Sequence, residues 1–237
     1  MAIIASMTIY LVPVGGNRYQ LYVEIPVEEA VGPAVPESKG WIARMVQRFR
    51  TMLEEAERAR LKRESGEPDG GSGLWHAIMR RVAEAIAEQR LLWHLRHQTH
   101  ATVRHPDDMS GADALREVRA EFSRDVSRHF RWMIVDGVIM IVTAIVFTLI
   151  PGPNLIAWYF TFRAIGHFLS WRGARKGLKD VEWASESCKE LSLVRPALGL
   201  HGPDRRTRLR EIGESLDLKH LAGFVERVFV QKHKETA

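Results

Sequence analysis

The sequence predicts a mostly α protein: an N-terminal β-hairpin followed by a helical bundle that carries an apolar helical hairpin with a Pro-x-Pro-Asn turn, associated with a membrane. Three observations predict it. Strand-like patterning is confined to the N-terminus, and helical spacing governs most of the rest. From Gly137 to Phe162 about 26 consecutive residues carry no formal charge, beyond the roughly 18 that mark a membrane candidate. At 237 residues, 46% hydrophobic and net +5, the chain is excluded from the disordered, collagen-like and small disulfide classes. Its only cysteine, Cys188, leaves no intrachain disulfide and no thiol pair for redox or zinc chemistry.

The elements follow in order. Thr8 to Val14 and Arg18 to Ile25 are rich in β-branched and aromatic residues, and Gly15-Gly16-Asn17 supplies the positive φ of a tight turn. Pro13 marks its strand as a sheet edge. After the Pro and Gly stretch Val31 to Pro36, Ser38 is the expected N-cap of a helix over 39–64, with Trp41, Met45, Phe49, Met52 and Leu53 on one face. The Gly66 to Gly73 linker ends it. A second helix is expected over 74–103, a third over 111–131 feeding directly into the apolar run, a basic helix over 173–193, and a closing helix-turn-helix over 205–232. No internal repeat is present. The blocks expected are 1–30 (β-hairpin), 37–131 (charged helices), 132–172 (apolar membrane hairpin) and 173–237 (C-terminal helices).

Pro151, Gly152, Pro153 and Asn154 interrupt the apolar run. Two prolines and a glycine in four positions do not continue a helix, so the run folds as two arms joined by a turn. Arm one, Trp132 to Ile150, is about 28 Å long as a helix, and arm two, Leu155 to Trp171, about 25 Å. Arg124, Arg128 and Arg131 precede the first arm; Arg172, Arg175, Lys176 and Lys179 follow the second. Basic residues thus flank both open ends and none marks the turn, which puts both ends on the same, positive side of a membrane. Trp132, Trp158, Tyr159 and Trp171 include interfacial anchors. The rival is a buried αα-hairpin in the core of a soluble protein.

Three ionisable residues fall in the hairpin: Asp136, Arg163 and His167. With the turn centred between Gly152 and Pro153, Asp136 lies level with about residue 169, close to His167, and Arg163 lies one turn deeper on the face of His167. Charges in apolar surroundings pair or neutralise, and in membranes they mark ion or proton paths. Two readings stay open: an ion pair that fixes hairpin register, or an ion and proton pathway.

The stretch Arg128-His-Phe-Arg-Trp-Met-Ile-Val-Asp136, then Leu149-Ile-Pro-Gly-Pro-Asn-Leu155, then Trp158-Tyr-Phe-Thr-Phe-Arg-Ala164 and His167, resembles the mitochondrial potassium-proton exchange-related family. That family has an opening hairpin, charged helices, an Arg-rich approach, a Pro-x-Pro-Asn break and a Tyr-x-x-x-Arg-Ala-x-x-His arm, here Tyr159, Arg163-Ala164 and His167. The core match covers about 50 residues. The resemblance implies a membrane-associated protein in potassium and proton exchange, as exchanger component or accessory factor. Its partners would be membrane lipid, a second copy or another membrane protein, and potassium and protons if it transports. The start lacks an Arg-rich, acid-poor presequence, which suits the inner membrane of a bacterium; a eukaryotic member would sit in the mitochondrial inner membrane.

Other patterns carry less chemistry. His94, His97 and His100 recur at i, i+3 and i+6, but the outer two diverge by about 120° on a helix, so one helix does not wrap them around a metal; a solvated face is expected, with no metal and no cofactor. Glu54, Glu55 and Glu57 beside Arg58, Arg60, Lys62 and Arg63 read as a salt-bridged helix face. In the closing segment Arg205, Arg206, Arg208 and Arg210 would meet phosphate, but Glu211, Glu214 and Asp217 would repel it, so helix packing and no nucleic acid is expected. No P-loop, dinucleotide fingerprint, zincin motif or nucleophile elbow is present, and no enzyme activity is expected. The alternative function is a non-transporting helical scaffold that binds a membrane surface or a protein partner.

Overall fold

The computed structural model describes residues 7–24, 89, 91–148 and 155–235. The helix expected over 39–64 with its charged face, the Gly66 to Gly73 linker, most of the helix expected over 74–103 and the Pro151 to Asn154 turn lie outside those residues. The protein is mostly helical with an N-terminal strand pair, and the chain divides into two compact units: Met1–Glu24, Gln98–Phe122 and Asp180–Ala237 form one, Ile25–His97 and Ser123–Lys179 the other.

The first unit is built on a four-stranded mixed sheet. Strands β1 (Met7–Pro13) and β2 (Tyr19–Tyr22) form the expected antiparallel hairpin, with Tyr10 opposite Tyr22 and Pro13 opposite Tyr19. Gly15 (φ 103°) and Gly16 (φ 61°) take the left-handed backbone that the turn requires. Two further strands correct the expectation that strands are confined to the N-terminus. Strand β3 (His100–Pro106) lies parallel to β1, and β4 (Glu182–Cys188) lies parallel to β3, in the order β2-β1-β3-β4. The helix expected to reach residue 103 therefore ends earlier, and the helix expected over 173–193 is broken by a strand. Nor is β1 an edge. The parallel ladder to β3 runs from Met7 to Tyr10 and has stopped before Pro13, whose missing N–H is thus not needed.

The link from β3 to β4 consists of two long helices, α1 (Gly111–Thr148) and α2 (Leu155–Lys179). Ser110 starts α1 as a cap: its Oγ accepts from the Asp113 amide at 3.2 Å and donates to the Asp113 carboxylate at 2.8 Å. The expected third helix and first apolar arm are thus one helix of 38 residues, about 57 Å long. Among the described residues no helix is long and apolar enough to cross a membrane; Arg128 lies near the middle of α1, Arg131 and Asp136 in its second half, and Arg163 in α2.

After β4 come the short α3 (Lys189–Ser192) and α4 (Val194–Leu198), then α5 (Gly202–Ser215) and α6 (Leu221–Glu235), the last two matching the expected closing pair. They bury one cluster with the sheet: Tyr10, Val12 and Tyr22 with Leu191, Leu209 and Leu221 at its centre. Ile9 and Leu11, on the opposite face by strand alternation, are also buried, so β1 is covered on both sides. Glu24 ties the hairpin to α6, its carboxylate accepting from the His220 amide at 2.6 Å and the Lys219 amide at 3.1 Å just ahead of the helix. An anion there is favoured by the helix dipole.

In the second unit the helical residues 91–95 pack on α2 through small side chains. Gly166, Ser170, Gly173 and Gly177 recur along α2 and all are buried. Trp93 is fully buried, its Nε1 donating to Ser170 Oγ at 2.9 Å and to the Gly166 carbonyl at 3.2 Å. The closest approach is at Gly173, where an added Cβ would come within 1.7 Å of the Leu92 carbonyl oxygen. Backbone cannot move aside as a side chain can. Gly173→Ala is therefore expected to cost at least about 2 kcal/mol of stability through overpacking, read as a lowered midpoint in denaturant. Gly137→Ala, in a helical position with nothing within 4 Å of the new methyl group, should instead gain about 0.5–1 kcal/mol.

Candidate functional site

Along the second half of α1, one seam faces inward. His129 and Asp136 are buried, and Met133, Met140 and Thr143 between and beyond them are half-buried, at spacings of four and three. That is the spacing of a helix that touches one neighbour. Most of the other positions are exposed although they are apolar, among them Phe130, Ile134, Val138, Ile141, Val142 and Ile145, with Val138 55% and Ile145 66% exposed. The polarity of this arm is inverted relative to a water-soluble helix, with ionisable groups inside and aliphatic groups outside.

The seam brings together the three ionisable residues singled out from the sequence. Arg163 Nε lies 3.2 Å and His167 Nε2 3.5 Å from Asp136 Oδ2, with Asp136 only 1% exposed and His167 12%. The ion pair is close but poorly aligned: among the described residues neither Asp136 oxygen accepts a well-formed hydrogen bond. Arg163 also lies over the faces of Trp132 (5.6 Å to the ring centroid), Tyr159 (5.7 Å) and Phe160 (6.0 Å), a set of π-faces that holds a guanidinium. A fourth residue, not singled out from the sequence, completes the group. His129 Nδ1 is 2.9 Å from His167 Nδ1, and the ring is 6% exposed. Its one sequence signal is its place seven residues before Asp136, which puts both on one face of a helix; the register set by the turn places it level with about residue 176 and not with His167.

Burial is the largest influence on all three titrating groups. It pushes His129 and His167 down to about 4, assisted for His129 by His167 and Arg128 and for His167 by Arg163 and Arg128. Burial pushes the Asp136 carboxyl up, against the pull of Arg163. At neutral pH both rings are therefore uncharged.

The basic residues expected to flank the hairpin divide. Arg128, Arg131, Arg172 and Arg175 are exposed, with Arg175 over the Trp171 ring at 5.4 Å and Trp171 6.1 Å from Phe130 across the hairpin. Cations and aromatic rings thus share one level at its open end. Lys176 is engaged elsewhere, its Nζ donating to the Arg96 carbonyl at 3.0 Å beyond helical residues 91–95, where a cation meets the negative end of a helix. His94, His97 and His100 do not share a helix: His94 lies in the helical segment 91–95, His97 in a turn, and His100 opens β3. Among the described residues no group of three metal-ligating side chains is present. Pro151, Gly152, Pro153 and Asn154 lie outside the described residues.

The imidazoles set a pH dependence. Between about pH 6.5 and 4 the unfolded chain binds protons at His129 and His167 that the folded chain does not, so stability is full above 6.5 and falls as pH drops toward 4. For a single imidazole the loss is about 3 kcal/mol. Asp136, raised in the folded state, contributes in the opposite sense just above its unfolded value of 3.8. Denaturation midpoints measured across this range should fall on acidification, and His167→Gln should flatten the fall.

The family model for mitochondrial K+-H+ exchange-related proteins matches residues 8–181. No curated protein and no solved structure matches the chain. The match takes in β1, β2, β3 and both arms of the hairpin with its buried ionisable seam. It covers well over half of the 237 residues, and on that ground the chain belongs to the mitochondrial K+-H+ exchange-related family.

Proposed function

We propose that this chain is a membrane-associated component of monovalent cation and proton exchange, acting as part of the exchanger or as its accessory, with the α1–α2 hairpin entering lipid from one face. The observation that carries the reading is the inverted polarity of the hairpin. Asp136, His129, His167 and Arg163 meet in the seam, while Ile134, Val138, Ile141 and Ile145 are open to the surroundings. Exposed aliphatic surface of this extent marks a lipid or protein contact, and ionisable groups turned inward are the pattern of helices in lipid. The exposed Arg128, Arg131, Arg172 and Arg175 beside Trp132 and Trp171 support the same orientation, since cations and indole rings favour the headgroup level.

Full-length protein reconstituted into vesicles containing anionic phospholipid tests both halves of the reading. The protein should stay with the vesicles through an alkaline carbonate wash, and an imposed potassium gradient should drive proton movement across them. Retention without flux assigns the accessory role, and loss in the wash assigns a peripheral scaffold. Val138→Asp, on the exposed side of α1, should leave the fold intact and weaken retention by roughly a hundredfold, the effect of about 3 kcal/mol for a charge placed in lipid.

A further inference from the structure

We infer that His129, His167 and Asp136 form a proton relay, entered at His129 Nε2 and ending at the Asp136 carboxylate, with Arg163 as the cation that holds the carboxylate ionised until the proton arrives. The inference rests on the exchange reading for its use, because a relay matters only where a proton is moved; its chemistry stands on the geometry of the seam.

The tautomers follow from donor bookkeeping. An ionised Asp136 donates nothing, so His167 Nε2 must carry the proton toward Oδ2. His167 is neutral, so its Nδ1 is then a bare acceptor, and the contact of 2.9 Å to His129 Nδ1 requires His129 to be the donor. The resting chain therefore runs in one direction: His129 Nδ1–H to His167 Nδ1, and His167 Nε2–H to Asp136 Oδ2. One proton taken from water at His129 Nε2 reverses it. The Nδ1–H bond of His129 breaks as that proton joins His167 Nδ1, and the Nε2–H bond of His167 breaks as that proton joins Asp136. His129 is left with its proton on Nε2, His167 with its proton on Nδ1, and Asp136 is neutral. One proton has entered, one negative charge has gone, and each nitrogen contact still has one donor and one acceptor. The relay requires the His167 Nε2 to Asp136 Oδ2 distance of 3.5 Å to shorten to about 3 Å for the transfer.

Two features suit this role better than a static ion pair. The carboxylate is buried without a well-aligned hydrogen bond, which leaves it ready to accept a proton. Arg163 lies over the rings of Trp132, Tyr159 and Phe160 in the same placement that meets the carboxylate, and keeps those contacts when the carboxylate is neutralised. Arg128 on α1 and Arg163 on α2 are the cations acting on the two imidazoles; both disfavour an imidazolium, so the charge passes through the rings and does not stay on them.

Long-range proton–nitrogen NMR on labelled full-length protein in lipid nanodiscs reads the tautomers. The expected result is His129 protonated on Nδ1 and His167 on Nε2 at neutral pH, with both exchanging tautomer together as Asp136 titrates. His129 protonated on Nε2 at neutral pH, or either ring titrating to imidazolium with no tautomer exchange, overturns the relay. In His129→Asn the amide nitrogen still donates to His167 Nδ1 but relays nothing. His167 should keep its tautomer while exchange of its Nε2 proton with water slows at least tenfold, and unchanged or faster exchange overturns the relay. Wild-type flux with the wrong tautomers removes the relay alone; the right tautomers with no potassium-driven flux support the relay chemistry and remove the exchanger role, leaving the accessory one.

Discussion

Asp136 sits in the seam between two helices whose remaining faces are mostly apolar, and a carboxylate in that position must find its counter-charge on the facing helix or give up its ionised form. Everything particular about the hairpin follows from that constraint. Arg163 supplies the charge at 3.2 Å, His167 supplies a second contact, and His129 extends the polar line one step along the seam. A slip of one residue along either helix would rotate these groups out of register by about 100°. The polar contacts therefore fix which residues of α1 and α2 face each other, as aliphatic packing alone would not. The register reading and the pathway reading of these residues use the same atoms, and only proton movement separates them.

The same hairpin is the connection between two adjacent parallel strands. Parallel neighbours need a long crossover, usually one helix; here the chain between β3 and β4 carries two, α1 and α2. The family match, which begins in β1 and ends just before β4, therefore takes in three strands of the sheet as well as the hairpin. In chain order the apolar arms are an insertion between two paired strands, and this organisation distinguishes the protein from a bare helical bundle.

Close approach is the other recurring device. On α2, Gly166, Ser170 and Gly173 let the Leu92 backbone and the Trp93 ring come into contact with the helix, and Trp93 gains two hydrogen-bond acceptors from it that a larger side chain at either position would screen. In the other unit Gly111 meets the hydroxyl of Ser185 at the start of α1. Small residues in a helix forgo propensity, and here the packing they permit offsets the loss.

What the sequence determined by itself was local or set by period. The turn chemistry of Gly15-Gly16 specifies the β1–β2 hairpin, and the charge-free run specifies the two arms. The spacing of Asp136, Arg163 and His167 about the Pro-x-Pro-Asn break is enough to place three of the four seam residues side by side. The rest depends on partners distant in the chain. His100 to Pro106 and Glu182 to Cys188 have mixed compositions, with Arg104, Glu182 and Glu186 among them, and become strands because each is paired, β3 on both sides and β4 on one. Strand propensity is largely a matter of such neighbours, and no periodicity within seven residues reports a partner some 80 or 90 positions away. Pro13 reads as an edge for the same reason, since nothing near it in sequence discloses that the β3 ladder stops at Tyr10. His129 escapes a sequence reading because a lone histidine on a helix is ordinary until the imidazole of His167 stands beside it, and that meeting is a property of two helices and of neither alone.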